Sequence, residues 1–123
     1  MVAKLRCPLI ASLILAICLH APANAQSNCS TAQLRIEKFR AQNEGSTVTS
    51  IFGILINGCD IPTGPQIKVI FYDQAGVVLR VEDMWPASIN NIPAKSEFPF
   101  QIRVSRVENF SRAEVRLVAT KTW

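Results

Sequence analysis

From Leu34 onward, the apolar residues of this 123-residue chain recur at every second position more often than at every 3.6. That period belongs to strands, whose side chains alternate between two faces, and it predicts an all-β fold. Leu34 and Ile36 alternate with Arg35 and Glu37, a turn signal follows at Asn43-Glu44-Gly45-Ser46, and a long β-branched and aromatic run covers Thr47 to Asn57. In that run Phe52, Ile54 and Ile56 share one face while Ile51 and Leu55 share the other. A strand apolar on both faces is expected to be central and covered on both sides for part of its length. Gly53, inside it, predicts a bulge or the close approach of another backbone.

The segment Asn57 to Pro65 holds two Gly and two Pro and is read as a loop. Gln66 to Tyr72 reads as a strand with Ile67, Val69 and Phe71 on one face. Asp73-Gln74-Ala75-Gly76 is a hairpin turn, in which Asp accepts backbone hydrogen bonds and Gly takes the positive φ that ends the loop. On the returning strand Val77, Leu79 and Val81 are expected to line the core, with Arg80 and Glu82 on the other face. Asp83 to Lys95 is irregular and reads as a connection between sheets. Phe98, Phe100, Ile102 and Val104 then point inward against Pro99, Gln101 and Arg103, and Pro99, lacking an N–H, places that part of the strand at an edge or beyond the ladder. The last strand sets Ala113, Val115, Leu117 and Ala119 against Arg112, Glu114 and Arg116. Six or seven short strands with frequent turn signals predict an antiparallel β-sandwich of immunoglobulin-like or fibronectin-like architecture, with a small barrel as the alternative.

Residues 1–25 read as a secretory signal peptide, helical in its apolar part. Lys4 and Arg6 form a positive start, Leu9 to Leu19 an uncharged run, and Ala23-Asn24-Ala25 a cleavage site. The apolar run is short against the roughly 20 residues that span a bilayer, and Ile17 before Cys18 does not fit a lipid-attachment signal. The expected mature chain is a single domain, residues 26–123, exported to a periplasm or secreted and not membrane-spanning. Its two cysteines, Cys29 and Cys59, are expected to form one disulfide in that oxidising setting. If the first two strands pair antiparallel, both cysteines fall at the same end of the hairpin.

The stretch from Ile51 to Lys121 resembles the FxLYD-type domains of exported bacterial proteins. The residues that carry the resemblance are Gly53 to Asn57, Val69 to Asp73 with Gly76 to Leu79, and Ile92 to Phe100. Val69 and Phe71 stand for the Phe and Leu of the family pattern, and Ala94 stands where Gly or Pro is usual. The resemblance implies an immunoglobulin-like sandwich and no particular activity, since fold alone does not specify one.

Removal of the leader takes away the only histidine, His20, and leaves 11 basic against 9 acidic residues. A chain without histidine cannot run Ser-His-Asp or Cys-His catalysis, imidazole acid-base chemistry or His-ligated metal sites. No Ser-x-x-Lys dyad, phosphate loop or calcium loop is present. Glu82 and Asp83 make a poor carboxylate dyad because neighbouring strand residues face opposite ways. Arg103, Arg106, Arg112 and Arg116 are interleaved with Glu108 and Glu114, as on a solvated sheet face, so no nucleic-acid partner is expected. The pattern therefore predicts no catalytic residues, no metal and no cofactor. The expected role is an exported, non-catalytic interaction or structural module of the bacterial cell envelope, its partner another envelope or secreted protein. Trp85, Met84, Phe110 and Trp123, lying in or beside connections or at the terminus, are the candidate binding residues. The alternative is a small carbohydrate-binding module using an exposed Trp.

Overall fold

The computed structural model describes residues 29–123, and the expected signal peptide, residues 1–25, lies outside them. A capped 3-10 turn, Thr31–Gln33, leads into six strands: β1 (Leu34–Glu44), β2 (Val48–Asn57), β3 (Gly64–Tyr72), β4 (Val78–Met84), β5 (Glu97–Ser105) and β6 (Arg112–Lys121). They form two antiparallel sheets, β1-β2-β5 and β4-β3-β6. The chain is an all-β sandwich. Among the described residues no ladder joins the two sheets, so they form a sandwich and not a closed barrel. The order is that of an immunoglobulin-like sandwich with strands A, B and E facing C′, C and F. In that architecture a further strand, G, would pair with the last one.

The core sits where the inner faces meet. Ile51 and Leu55 of β2 and Ile67, Val69 and Phe71 of β3 are fully buried, joined by Phe100 of β5. Both central strands supply alternate apolar residues to this layer, as the period-two reading requires. The β4–β5 connection adds two buried side chains, Ala87 and Ile92, and Ile92 pairs with Thr63 as an isolated bridge. The connection is thus part of the core, which its irregular sequence does not announce.

Cys29 and Cys59 form a disulfide beside the β1–β2 pair, where Leu34 lies opposite Asn57. Buried Asn57 holds the loops at this end. The two N–H groups of its Nδ2 are shared among the carbonyls of Ile61, Ile92 and Pro93, at 2.9, 3.0 and 3.2 Å, and its Oδ1 accepts from Cys59 N–H at 2.9 Å. At the other end Thr49 accepts from Val107 N–H at 2.8 Å and donates to Asn43, tying the β5–β6 connection down.

Two expectations need correction and a third holds in part, since β2 is the central strand of its sheet. Gly53 marks no bulge: a Cβ there would stand 2.7 Å from the Phe100 ring, so the glycine makes room for a core side chain. The bulge lies in β1, between Glu37 and Arg40, with Lys38 at φ 51°. Phe52, Ile54 and Ile56 are only half-buried on the outer face of β2, covered by side chains such as Arg40, whose guanidinium lies 4.3 Å from the Phe52 ring. Finally, β4 presents the opposite face to the one expected. Arg80 lies opposite Phe71 and Glu82 opposite Val69, on the inner side, while Leu79 and Val81 are exposed. Because β4 is an edge strand, its inward charges reach the open flank. There Arg80 donates to the Ser105 carbonyl at 2.7 Å and the Arg106 carbonyl at 3.2 Å, bridging the two sheets.

Candidate functional site

A sandwich of two three-stranded sheets has four edge strands, each a row of unpaired N–H and C=O groups to which another chain can add a strand. Native sheets blunt such edges with proline, bulges, charged residues and inward-pointing charges. Three of the four edges here carry those devices. β5 has Pro99 in mid-strand. β1 is broken by its bulge and studded with Arg35, Glu37, Lys38 and Arg40. β4 is seven residues long, slips register between Arg80 and Val78, and turns Arg80 and Glu82 inward.

β6 differs. It is ten residues long, contains no proline and places Ala113, Val115 and Leu117 on the inner face, opposite Phe71, Val69 and Ile67. Those β3 partners are fully buried, whereas the three β6 side chains remain partly exposed. Among the described residues β6 is paired only with β3. Its far end is occupied: Thr120 Oγ1 donates to the Cys29 carbonyl at 2.6 Å, and a bulge at Val118 shifts the register there. The bare stretch, without a ladder partner on this side among the described residues, is Arg112 to Leu117, where strand G of an immunoglobulin-like sandwich would lie; the Leu117 side chain packs against Cys29, Leu34 and Cys59, and β1 comes near this edge.

The outer face of this stretch is held by a charged cluster. Arg112 bonds Glu114 and lies 3.9 Å from the Tyr72 ring; Tyr72 Oη donates to Glu114 at 3.1 Å. Arg116 stands farther off, 3.7 Å from Glu114, and is largely exposed. The hydrogen bond from Arg112, followed by that from Tyr72, holds the Glu114 carboxyl below its usual range, so it is ionised at neutral pH.

The aromatic residues singled out in the sequence fall into separate places. Trp85 and Trp123 meet edge to face, 5.7 Å between centroids, at one end of the sandwich. Lys121 Nζ lies 3.7 Å from the Trp123 ring, whose edge packs on Gly64, and Asn91 exchanges two hydrogen bonds with the Trp123 backbone at 3.0 and 3.1 Å. These contacts pin the chain's last residues to the loops. Phe110 stacks edge-on against Phe71, 5.1 Å away, and Met84 packs on the same core. Trp85, Trp123, Met84 and Phe110 therefore do not converge on one surface. Glu82 and Asp83 pair separately, with Arg80 at 3.6 Å and Lys68 at 3.8 Å. Arg103, Arg106, Arg112 and Arg116 each have a carboxylate within 4 Å.

Among the described residues no group of three or more His, Cys, Asp or Glu could hold a metal, and no helix is long and apolar enough to cross a membrane. No protein-family model matches the chain, nor does any curated protein or solved structure. The β6 edge was not visible to sequence reasoning, because alternation shows which face of a strand is buried and says nothing of which strand lies beside it.

Proposed function

We propose that the mature chain is an exported, non-catalytic interaction module of the bacterial cell envelope, periplasmic or secreted, that binds a protein by accepting a strand on β6. The observation that carries this reading is the contrast among the four edges: three carry a proline, a mid-strand bulge or inward-pointing charges, and β6 has none of these between Arg112 and Leu117. Strand addition draws its affinity from main-chain hydrogen bonds and needs few special side chains. That suits a mature chain without histidine or a carboxylate pair set for catalysis. Support for the location comes from the signal-peptide pattern and from a disulfide, which persists in oxidising compartments. The resemblance to FxLYD-type exported domains points the same way.

Crosslinking in intact cells followed by mass spectrometry tests the reading. Adducts that contain the mature chain and map to β6 are expected. Recovery of the chain solely as an uncrosslinked monomer would overturn it.

A further inference from the structure

We infer that the strand accepted by β6 is the β6 of a second copy of this chain, paired antiparallel about a two-fold axis through Val115. The inference rests on the proposed reading of β6 and goes further by naming the partner. Its warrant is the order of side chains along the bare stretch. In that register Ala113 lies opposite Leu117 of the second copy on the inner face, small against large, with Val115 against its counterpart. On the outer face Glu114 lies opposite Arg116 of the second copy, and the symmetry repeats the pair. Directly opposed unlike charges stabilise antiparallel strands and like charges oppose pairing.

Neighbouring registers fail this test. An axis through Glu114 opposes the two Glu114 carboxylates and sets Arg112 against Arg116. An axis through Arg116 opposes two guanidinium groups. An axis through Ala113 restores Arg112–Glu114 pairs but sets Val115 opposite Ser111, beyond the strand. The β4 edge offers its own charge match, Arg80 against Glu82 about Val81. There, however, Arg80 is committed to the carbonyls of Ser105 and Arg106, and Leu79 would face Asp83.

The β6 cluster is ready for the pairing. Arg112 and Tyr72 fix Glu114 in place, so little side-chain order remains to be gained, while exposed Arg116 makes only a long contact within its own chain. A two-fold pairing is also closed. It joins the sheets as β4-β3-β6-β6-β3-β4, uses the unguarded edge of both copies and leaves β4 outermost with its protective devices.

Sedimentation velocity on the mature chain, combined with amide hydrogen exchange at several concentrations, tests this. A dimer is expected, with exchange slowing across Arg112 to Leu117 as concentration rises. Arg116→Glu sets Glu114 against a carboxylate twice per dimer and is expected to weaken association by about tenfold. The charge swap Glu114→Arg with Arg116→Glu restores the unlike pairs and should restore the dimer. Arg116 is largely exposed, whereas Glu114→Arg also removes the bonds to Arg112 and Tyr72, so circular dichroism checks that each variant is folded. A chain that stays monomeric at high concentration overturns the inference, as does a dimer indifferent to Arg116→Glu whose β6 amides exchange unchanged. If the purified chain is monomeric yet β6 crosslinks to another protein in cells, self-pairing falls and the interaction reading stands. If β6 yields no adduct of either kind, both fall.

Discussion

Replacement of Asn57 by alanine should be among the most damaging single changes in the domain. The side chain is fully buried and serves four backbone groups from two loops. Two of them keep a second partner when it is removed: Ile92 C=O accepts from Thr63 N–H at 3.0 Å, and Pro93 C=O accepts from Ser96 Oγ at 2.6 Å. Cys59 N–H and Ile61 C=O have no other partner among the described residues. An orphaned buried group costs about 1–3 kcal/mol. Ile61 is partly exposed and water can relieve its carbonyl, so the sum is about 2–4 kcal/mol. For a domain of this size that corresponds to a fall in Tm of roughly 10–25 °C. Thermal unfolding of the non-reduced mature chain by circular dichroism measures it, with urea unfolding as a check that the midpoint shifts while the slope does not. Asn57→Asp keeps the acceptor for Cys59 but turns a carboxylate toward three carbonyls, and should be no better than alanine. A fall of less than about 2 °C for Asn57→Ala would refute the claim that these bonds hold the loops.

Exchanging Cys29 and Cys59 together for serine should cost about 3–4 kcal/mol, because the bridge closes a loop of 30 residues in the unfolded chain; two free thiols in the non-reduced chain, by thiol titration, would contradict the pairing. Gly53→Ala forces a methyl group against the Phe100 ring and should destabilise by about 1–3 kcal/mol in urea unfolding, with no change expected if that face were open. The Glu114 carboxyl should titrate below the ordinary glutamate range, near 4.3, in carbon-detected NMR, and Arg112→Gln should return it toward that value. Since its folded pKa is lowered, its stabilising contribution is complete above the unfolded pKa and fades as pH falls through the folded one. The difference between wild type and Glu114→Gln should therefore be flat near neutrality and vanish in acid.

Local signals carried much of this fold. Pro99 reports an edge because it cannot donate to a second neighbour, and β5 is an edge. Asp73 to Gly76 reports its turn through a carboxylate that accepts from Val77 N–H at 2.9 Å and a glycine at φ 80°. The cysteines report the β1–β2 pairing through their places before β1 and after β2, side by side at the open end of the hairpin. The face of β4 was not legible, because alternation fixes parity only relative to a buried side, and at an open flank aliphatic residues can face water while Arg80 bridges the sheets. The buried polar residues were hidden for another reason. Asn57 and Thr49 read as strand ends, and only the arrival of distant loops makes them interior. The site depends on strand order, a long-range property. The residues of β6 read as an ordinary amphipathic strand until the other three edges are seen to be guarded.

The central claim is that one edge of four receives a partner. Placing a photoreactive residue in turn at Arg35 of β1, Asp83 of β4, Gln101 of β5 and Arg116 of β6, then irradiating intact cells, tests it directly. Adducts concentrated at position 116 are predicted. Adducts at any of the other three positions with none at 116 would contradict the claim.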